Sequence, residues 1–312
     1  MWQFEQYETL ERVGRRVPLR KTQRQAIWDL FQKYEQARRD AHISDWSDVL
    51  IATLQELKRS PLERRYNTVI VDEIQDLTVV GLRILSQIVT PEPMDLLIVG
   101  DGQQQVYPGS FRLSEAEVNV QGRSVVLKRN YRNGSEILKY ALSLMEGTEF
   151  SDLEHDVETG LREVESERPG GLVAEFSAHD NDELEAGFLA ALRGLIQREV
   201  SYGNIAVLCR TNAEIRRWHE FLDNHKIPVS KLTDDSRQWP NTIRVGTRDR
   251  AKGLEFQAVL LPDGRDILSV GHGEADPHAQ EEREELEARR LFVACTRARD
   301  YLWVGGMDAS AS

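Results

Sequence analysis

Two cysteines, Cys209 and Cys295, are too few in 312 residues for a disulfide framework or a cysteine-built zinc site. The histidines at 42, 155, 179, 219, 225, 272 and 278 fall at no metal-ligand spacing. No apolar run approaches the roughly 20 residues that a bilayer requires. The opening Met1-Trp2-Gln3-Phe4 has no signal-peptide pattern. These absences point to a reducing cytoplasm and no membrane partner, and no repeat of solenoid period appears. Positive charge is also scarce, since 40 Lys and Arg face 52 Asp and Glu for a net charge of −12. Phosphate binding runs on Lys and Arg, so the global charge opposes nucleic acid. Much of the acid, however, is concentrated at 149–167 and 281–287, which read as a solvated loop and a solvated helix face. Arg244, Arg248 and Arg250 remain as a locally basic track.

What the chain does have begins at Val69-Ile70-Val71-Asp72-Glu73-Ile74-Gln75-Asp76. Three branched apolar residues read as a strand buried on both faces, and open parallel sheets present ligands at the carboxyl ends of such strands. Asp72 at that end suits Mg2+, and Glu73 beside it suits a water-activating base. A helix start that merely favours acids is the bland alternative. The pattern recurs at Leu96-Leu97-Ile98-Val99-Gly100-Asp101, followed by Gly102-Gln103-Gln104-Gln105-Val106-Tyr107.

From that recurrence onward the chain resembles the UvrD/Rep-type helicases of superfamily 1, and the likeness runs along nearly its whole length. VIVDEIQD resembles the family's second motif, which implies Asp72 and Glu73 at the metal, Glu73 as catalytic base, and Gln75 coupling the site to its neighbours. GDGQQQVY resembles the third, implying Gln104 as γ-phosphate sensor and Tyr107 beside DNA. Phe111 and Arg112 follow as DNA-facing residues, at a spacing two residues longer than the family's usual one. Leu127-Lys128-Arg129-Asn130-Tyr131-Arg132 resembles the fourth motif, with Arg132 on the γ-phosphate. Val245-Gly246-Thr247 with Ala251-Lys252-Gly253-Leu254-Glu255-Phe256 is similar to the fifth, implying Gly253 and Glu255 at the nucleotide and Thr247 on a DNA phosphate. Asp249 stands where the family commonly has histidine, and a carboxylate there repels phosphate. Arg289 to Arg299 resembles the sixth motif, with Arg297 as arginine finger.

The resemblance implies an α/β protein of two RecA-like lobes with parallel sheets, using ATP and Mg2+ on single-stranded or partly duplex DNA, with 3' to 5' movement. Residues 1–64 read as a helical insertion, 65–122 as the rest of the first lobe, and 123–309 as the second lobe. Helices are expected over 20–40, capped by Thr22 and Gln25, and after Asp45. In the second lobe strands are expected at 125–127, 172–176 and near Ile205, Ile243, Ala258 and Tyr301, with helices at 135–145, 183–198 and 213–225. The polar stretch 147–171 reads as a connector. Trp28 and Trp218 are assigned to packing, and for Trp239, in a loop before the fifth motif, packing is favoured over a DNA contact.

One family element does not occur: no Gly-x-x-x-x-Gly-Lys-Ser/Thr, the loop that cradles phosphates, is present in these residues. The reading is therefore of a chain that starts partway through a helicase, its first lobe incomplete and the less stable of the two. It is expected to be inactive alone, with a second chain or segment supplying the loop. The competing expectation is a catalytically silent helicase-like binding or regulatory subunit.

Overall fold

A computed structural model describes the chain apart from residues 1–2, 11–18, 91–95, 102–112, 117, 119–122, 124, 147–148, 151–157, 160–163, 233–240, 266–276 and 309–312. It divides into two compact units, Met1–Val125 with Phe150–Glu158, and Val126–Glu149 with Thr159–Ser312.

The first unit opens with helices α1 (Phe4–Glu8), α2 (Lys21–Asp40) and α3 (Trp46–Arg59). Trp28 of α2 is buried beneath the rings of Phe4, Tyr7 and Phe31 at centroid distances of 5.6–6.1 Å. The cap of α2 differs from expectation. The helix begins at Lys21, so Thr22 lies inside its first turn, and the extended Arg20 caps it by donating its N–H to Gln23 Oε1 at 2.8 Å. Asp45 and Asp48 cap α3 reciprocally, each accepting the other's N–H at 2.9 and 3.0 Å. Strands β1 (Val69–Val71) and β2 (Leu96–Ile98) pair in parallel, joined through α4 (Val79–Ile88). Alternation sends Val71 to a core with Ile74, Leu82, Leu113 and Ala116. It leaves Ile70 and Leu97, paired across the ladder, 69% and 53% exposed on the opposite face, so β1 is a strand but is not buried on both faces as its apolar run implied.

The second unit holds the larger core. Six strands form one parallel sheet in the order β7 (Leu172–Ala178), β12 (Ala298–Met307), β11 (Phe256–Leu261), β8 (Ile205–Cys209), β10 (Ile243–Thr247) and β9 (Val229–Lys231). Ile205, Val207 and Cys209 face a cluster built by α6 (Asn181–Gln197) and α7 (Asn212–Asn224), where the tilted rings of Phe188 and Trp218 lie 4.5 Å apart. Helices α5 (Ser135–Ser143) and α8 (Pro277–Cys295) pack on each other and on β12. Both faces of the sheet are thus covered, as the uninterrupted apolar strand Ile205-Ala206-Val207-Leu208-Cys209 requires. The mixed α/β class with parallel sheets stands as expected.

Two expectations fail here. Residues 125–127 form no strand, and Val125 and Leu127 lie 84% and 81% exposed. The ladder starts later, at β3 (Arg129–Gly134), because its parallel partner is β6 (Glu165–Arg168). Part of the supposed connector 147–171 is therefore structural, and it also carries the short strands β4 (Glu149–Phe150) and β5 (Glu158–Thr159). The close approach fixes Gly134, where an added Cβ would lie 2.7 Å from the Gly170 carbonyl oxygen.

Phe188 is fully buried in the α6–α7 cluster. Its replacement by Ala is expected to cost about 3–5 kcal/mol. Urea unfolding should show the loss in the transition of the second unit, with the transition of the first unit unmoved.

Candidate functional site

In the first unit, β1 ends at Val71 and the next residues turn sharply. Glu73 takes a left-handed backbone with φ 52°, a conformation that side-chain-bearing residues adopt at a cost. The strain is held by its neighbours. The Glu73 N–H donates to Asp72 Oδ1 at 2.9 Å, and Ile74 N–H donates to the Val99 carbonyl at 3.1 Å. Gln75 is buried, its Nε2 donating to Glu73 Oε2 and its Oε1 accepting the Asp101 N–H at 3.1 Å. One amide thus ties the residue after β1 to the residues after β2. Gly100 makes room for it, since a Cβ there would sit 2.6 Å from Gln75 Oε1. Asp72 remains exposed at the strand end and Glu73 half-buried. Such a pair suits Mg2+, which takes one or two carboxylates and completes its shell with water and phosphate oxygens. Among the described residues there is no group of three or more potential metal ligands. Gln104, Tyr107, Phe111, Arg112 and Trp239 lie outside the described residues.

The second unit sorts its candidate residues onto two opposite ends of the sheet. At the amino ends of β11 and β12 it gathers Arg132, Gly253, Glu255 and Arg297. Arg132 Nε lies 3.2 Å from Glu255 Oε2, both side chains partly exposed. Gly253 turns the chain into β11 with φ 76°. Arg297 is 1% exposed, and its guanidinium donates to the carbonyl of Val293 at 3.0 Å and to Thr296 Oγ1 at 3.2 Å. The Arg297 carbonyl accepts the Phe256 N–H at 2.9 Å, which locks this loop to the start of β11.

At the carboxyl end of β10 stands Thr247, whose hydroxyl accepts the Arg250 N–H at 3.2 Å. The track expected from Arg244, Arg248 and Arg250 does not survive, because two of the three are internal. Arg244 is 2% exposed and its guanidinium bonds the hydroxyl and carbonyl of Thr242. Arg248 is 2% exposed and donates to Asp263 Oδ1 at 2.6 Å and to the Asp263 carbonyl at 2.9 Å. Burial pulls the Arg248 pKa down, yet the carboxylates of Asp263 and Glu287 outweigh it and hold it above its usual value. Glu287 is itself buried, so the acidic run 281–287 is not wholly a solvated face. Asp263 also accepts the Arg210 N–H at 2.8 Å, and burial followed by the Asp263 charge pushes the Glu214 carboxyl above its usual range. Asp249 lies 3.5 Å from Arg290 Nε, so its charge is compensated rather than left to repel an incoming phosphate.

A 280 Å³ hollow opens beside Thr247, where Arg216, Lys231 and Arg250 meet Asn212 and Gly246. Reading the sequence singled out only Arg250 of these. Arg216 on α7 and Lys231 on β9 reach the hollow through strand order, which has no short-range signature.

Two family models match the chain, the UvrD/REP helicase N-terminal domain over residues 4–123 and the UvrD-like helicase C-terminal domain over residues 125–237. Among curated relatives, the ATP-dependent DNA helicase UvrD1 of Mycobacterium tuberculosis is 27% identical over 227 residues, 65% of this chain and 28% of that protein. UvrD2 of the same organism is 25% identical, covering 70% of this chain and 32% of that protein. The helicase srs2 of Schizosaccharomyces pombe is 23% identical, covering 69% of this chain and 24% of that protein. The chain thus spans less than a third of the length of these relatives. No helix among the described residues is long and apolar enough to cross a membrane.

Because Arg248 is buried against Asp263, Asp263→Ala takes away its hydrogen-bonded partner and leaves only the Glu287 carboxylate at 4.0 Å, which should cost about 3 kcal/mol. The double change Arg248→Met with Asp263→Leu removes both charges and should recover most of that loss in thermal unfolding.

Proposed function

We propose, because this chain belongs to the UvrD/Rep-type helicase family, that it is motor machinery of an ATP-dependent DNA helicase or translocase moving 3' to 5'. The observation that carries the reading is Glu73, held in a strained left-handed conformation at a strand end by the buried Gln75 amide, with Asp72 beside it. Strain maintained by surrounding bonds points to a positioned reactive group. An acid that only favoured a helix start would need no such arrangement.

In this reading Asp72 and Glu73 hold Mg2+, which neutralises phosphate charge when bound. Glu73 orients the attacking water, and Gln75 keeps the Glu73 carboxylate aimed. Arg132 contacts the γ-phosphate, and Glu255 and Gly253 form the nucleotide edge of the second unit. Arg297 serves as arginine finger, a task that requires its guanidinium to leave Val293 and Thr296 for phosphate. Gln104 senses the γ-phosphate. Single-stranded DNA runs over the opposite end of the sheet, on Thr247 and the Arg216, Lys231 and Arg250 hollow, with Tyr107, Phe111 and Arg112 adding contacts from the first unit's sequence. Residues 1–64 act as the helical insertion, 65–122 as first-lobe remainder and 123–309 as second lobe. Lacking the phosphate loop in its 312 residues, the chain does not hydrolyse ATP unaided, and a second chain or segment supplies that loop. A silent binding subunit is the lesser reading, because the Gln75 bond preserves the aim of a base that such a protein would not use.

The test is ATP hydrolysis by the full chain with and without single-stranded DNA, with Glu73→Gln and Arg297→Ala as controls. We expect DNA binding without turnover, and a weaker salt dependence of that binding in Arg250→Ala, its logarithmic slope reduced by about 0.7. Turnover that disappears in both controls would contradict the claim of dependence on an outside loop.

A further inference from the structure

The two arginines assigned to phosphate are joined by a single buried side chain. Asn133 is 1% exposed, and its Nδ2 donates to the carbonyls of Thr296 at 2.8 Å and Ala298 at 2.6 Å. Those two carbonyls flank Arg297. The other polar atom of the amide is also engaged, with Asn133 Oδ1 accepting from Asn130 Nδ2 at 3.0 Å. Two acceptors on one side and a donor on the other leave one possible orientation of the carboxamide. The same Asn130 accepts the N–H of Arg132 and the N–H of Asn133 on its Oδ1, both at 2.9 Å.

The backbone carrying Arg132 is held from its other side as well. Its carbonyl accepts from Arg168 Nη1 at 2.7 Å, while Arg168 Nη2 donates to Asp300 Oδ1 at 2.7 Å. Ser166 Oγ donates to the Asn133 carbonyl at 2.7 Å. Every polar group of the Arg132–Asn133 peptide pair is therefore fastened, directly or through Asn130, to β6 or to the loop of Arg297. The Arg132 side chain itself stays 42% exposed, free to exchange Glu255 for another anion.

We infer that Asn133 is a positioning residue whose carboxamide makes the Arg132 segment and the Arg297 loop one rigid body, so that the two arginine side chains extend toward one polyphosphate from backbone positions at fixed spacing, Arg297 after its guanidinium leaves Val293 and Thr296. The inference rests on the reading of Arg132 and Arg297 as phosphate ligands. The position needs two donor protons on one atom: Asp would set a carboxylate oxygen against two carbonyls, Ser has one hydroxyl proton for the two of them, and Ala would remove both bonds. Backbone segments 163 and 165 residues apart in sequence are joined by these two bonds, which makes the coupling invisible to any local motif.

The experiment is a double-mutant cycle on the full chain, titrating inorganic tripolyphosphate to millimolar concentration and following the Nε–H resonances of Arg132 and Arg297. In the unaltered chain both resonances should move along one binding curve. Asn133→Asp should weaken tripolyphosphate binding about tenfold, and the same substitution in an Arg297→Ala background should cost less than twofold, since the positioned partner is already gone. Equal losses in both backgrounds, or none in either, would overturn the inference. If Asn133→Asp does not fold, Asn130→Asp serves instead, because it keeps the acceptor for the two N–H groups and removes only the donor that orients Asn133. Resonances that never move in the unaltered chain refute the phosphate reading itself. The clamp is then judged by hydrogen exchange at the Phe256 amide, which should quicken at least tenfold in the variant, and an unchanged rate refutes it.

Discussion

A parallel sheet covered on both faces has no room for charge except at its ends or in compensated pairs, and the second unit is built around that constraint. Its central strands are almost wholly apolar, β8 throughout and β11 apart from Gln257, so the groups that could do chemistry are displaced to the two rims. Where an arginine does fall inside, as Arg248 does, it is met by Asp263 at 2.6 Å and by Glu287. The cost of burying such a charge is offset here by the Asp263 contacts and the nearby Glu287 charge alone, since Nε and Nη1 of Arg248 find no hydrogen-bond acceptor among the described residues. Around that pair the loop after β10 is fastened to α8, and Arg297 lies two residues beyond the end of that helix. Thr247 and Arg297 are thus placed at opposite rims by elements that share one buried ion network.

The first unit solves a smaller version of the same problem. Two short strands deliver Asp72 and Asp101 to one edge, and the Gln75 amide spans the gap between the two strand ends. The left-handed Glu73 persists because Asp72, Val99 and Gln75 hold the turn from three directions. Ile70 and Leu97 lie open on the other face of this ladder, the apolar cost of so narrow a sheet.

Much of this was legible in the residues. Val69 to Asp76 reads as strand then carboxylates because branched apolar residues and a sudden pair of acids are local signals. Helices α2 and α3 follow from apolar spacing, and α6 and α7 from the alternation of strands with helical segments. What failed depended on distant partners. Val125 to Leu127 has strand composition but no ladder, whereas Arg129 to Gly134, polar and glycine-ended, is a strand because Glu165 to Arg168 pairs with it. Arg244 and Arg248 read as surface cations because Thr242 is a neutral neighbour and Asp263 lies 15 residues onward, beyond any turn or helical repeat. Asn133 carries no local signal in the sequence, and only the packing of β3 against the start of β12 gives it meaning.

The central claim is that DNA and nucleotide use opposite rims of the second unit's sheet. Hydrogen exchange of the full chain with and without a single-stranded oligothymidylate tests it most directly. The account predicts slower exchange at 210–216 and 245–251, with 129–134, 254–256 and 296–298 unchanged. Protection confined to the latter segments would contradict it.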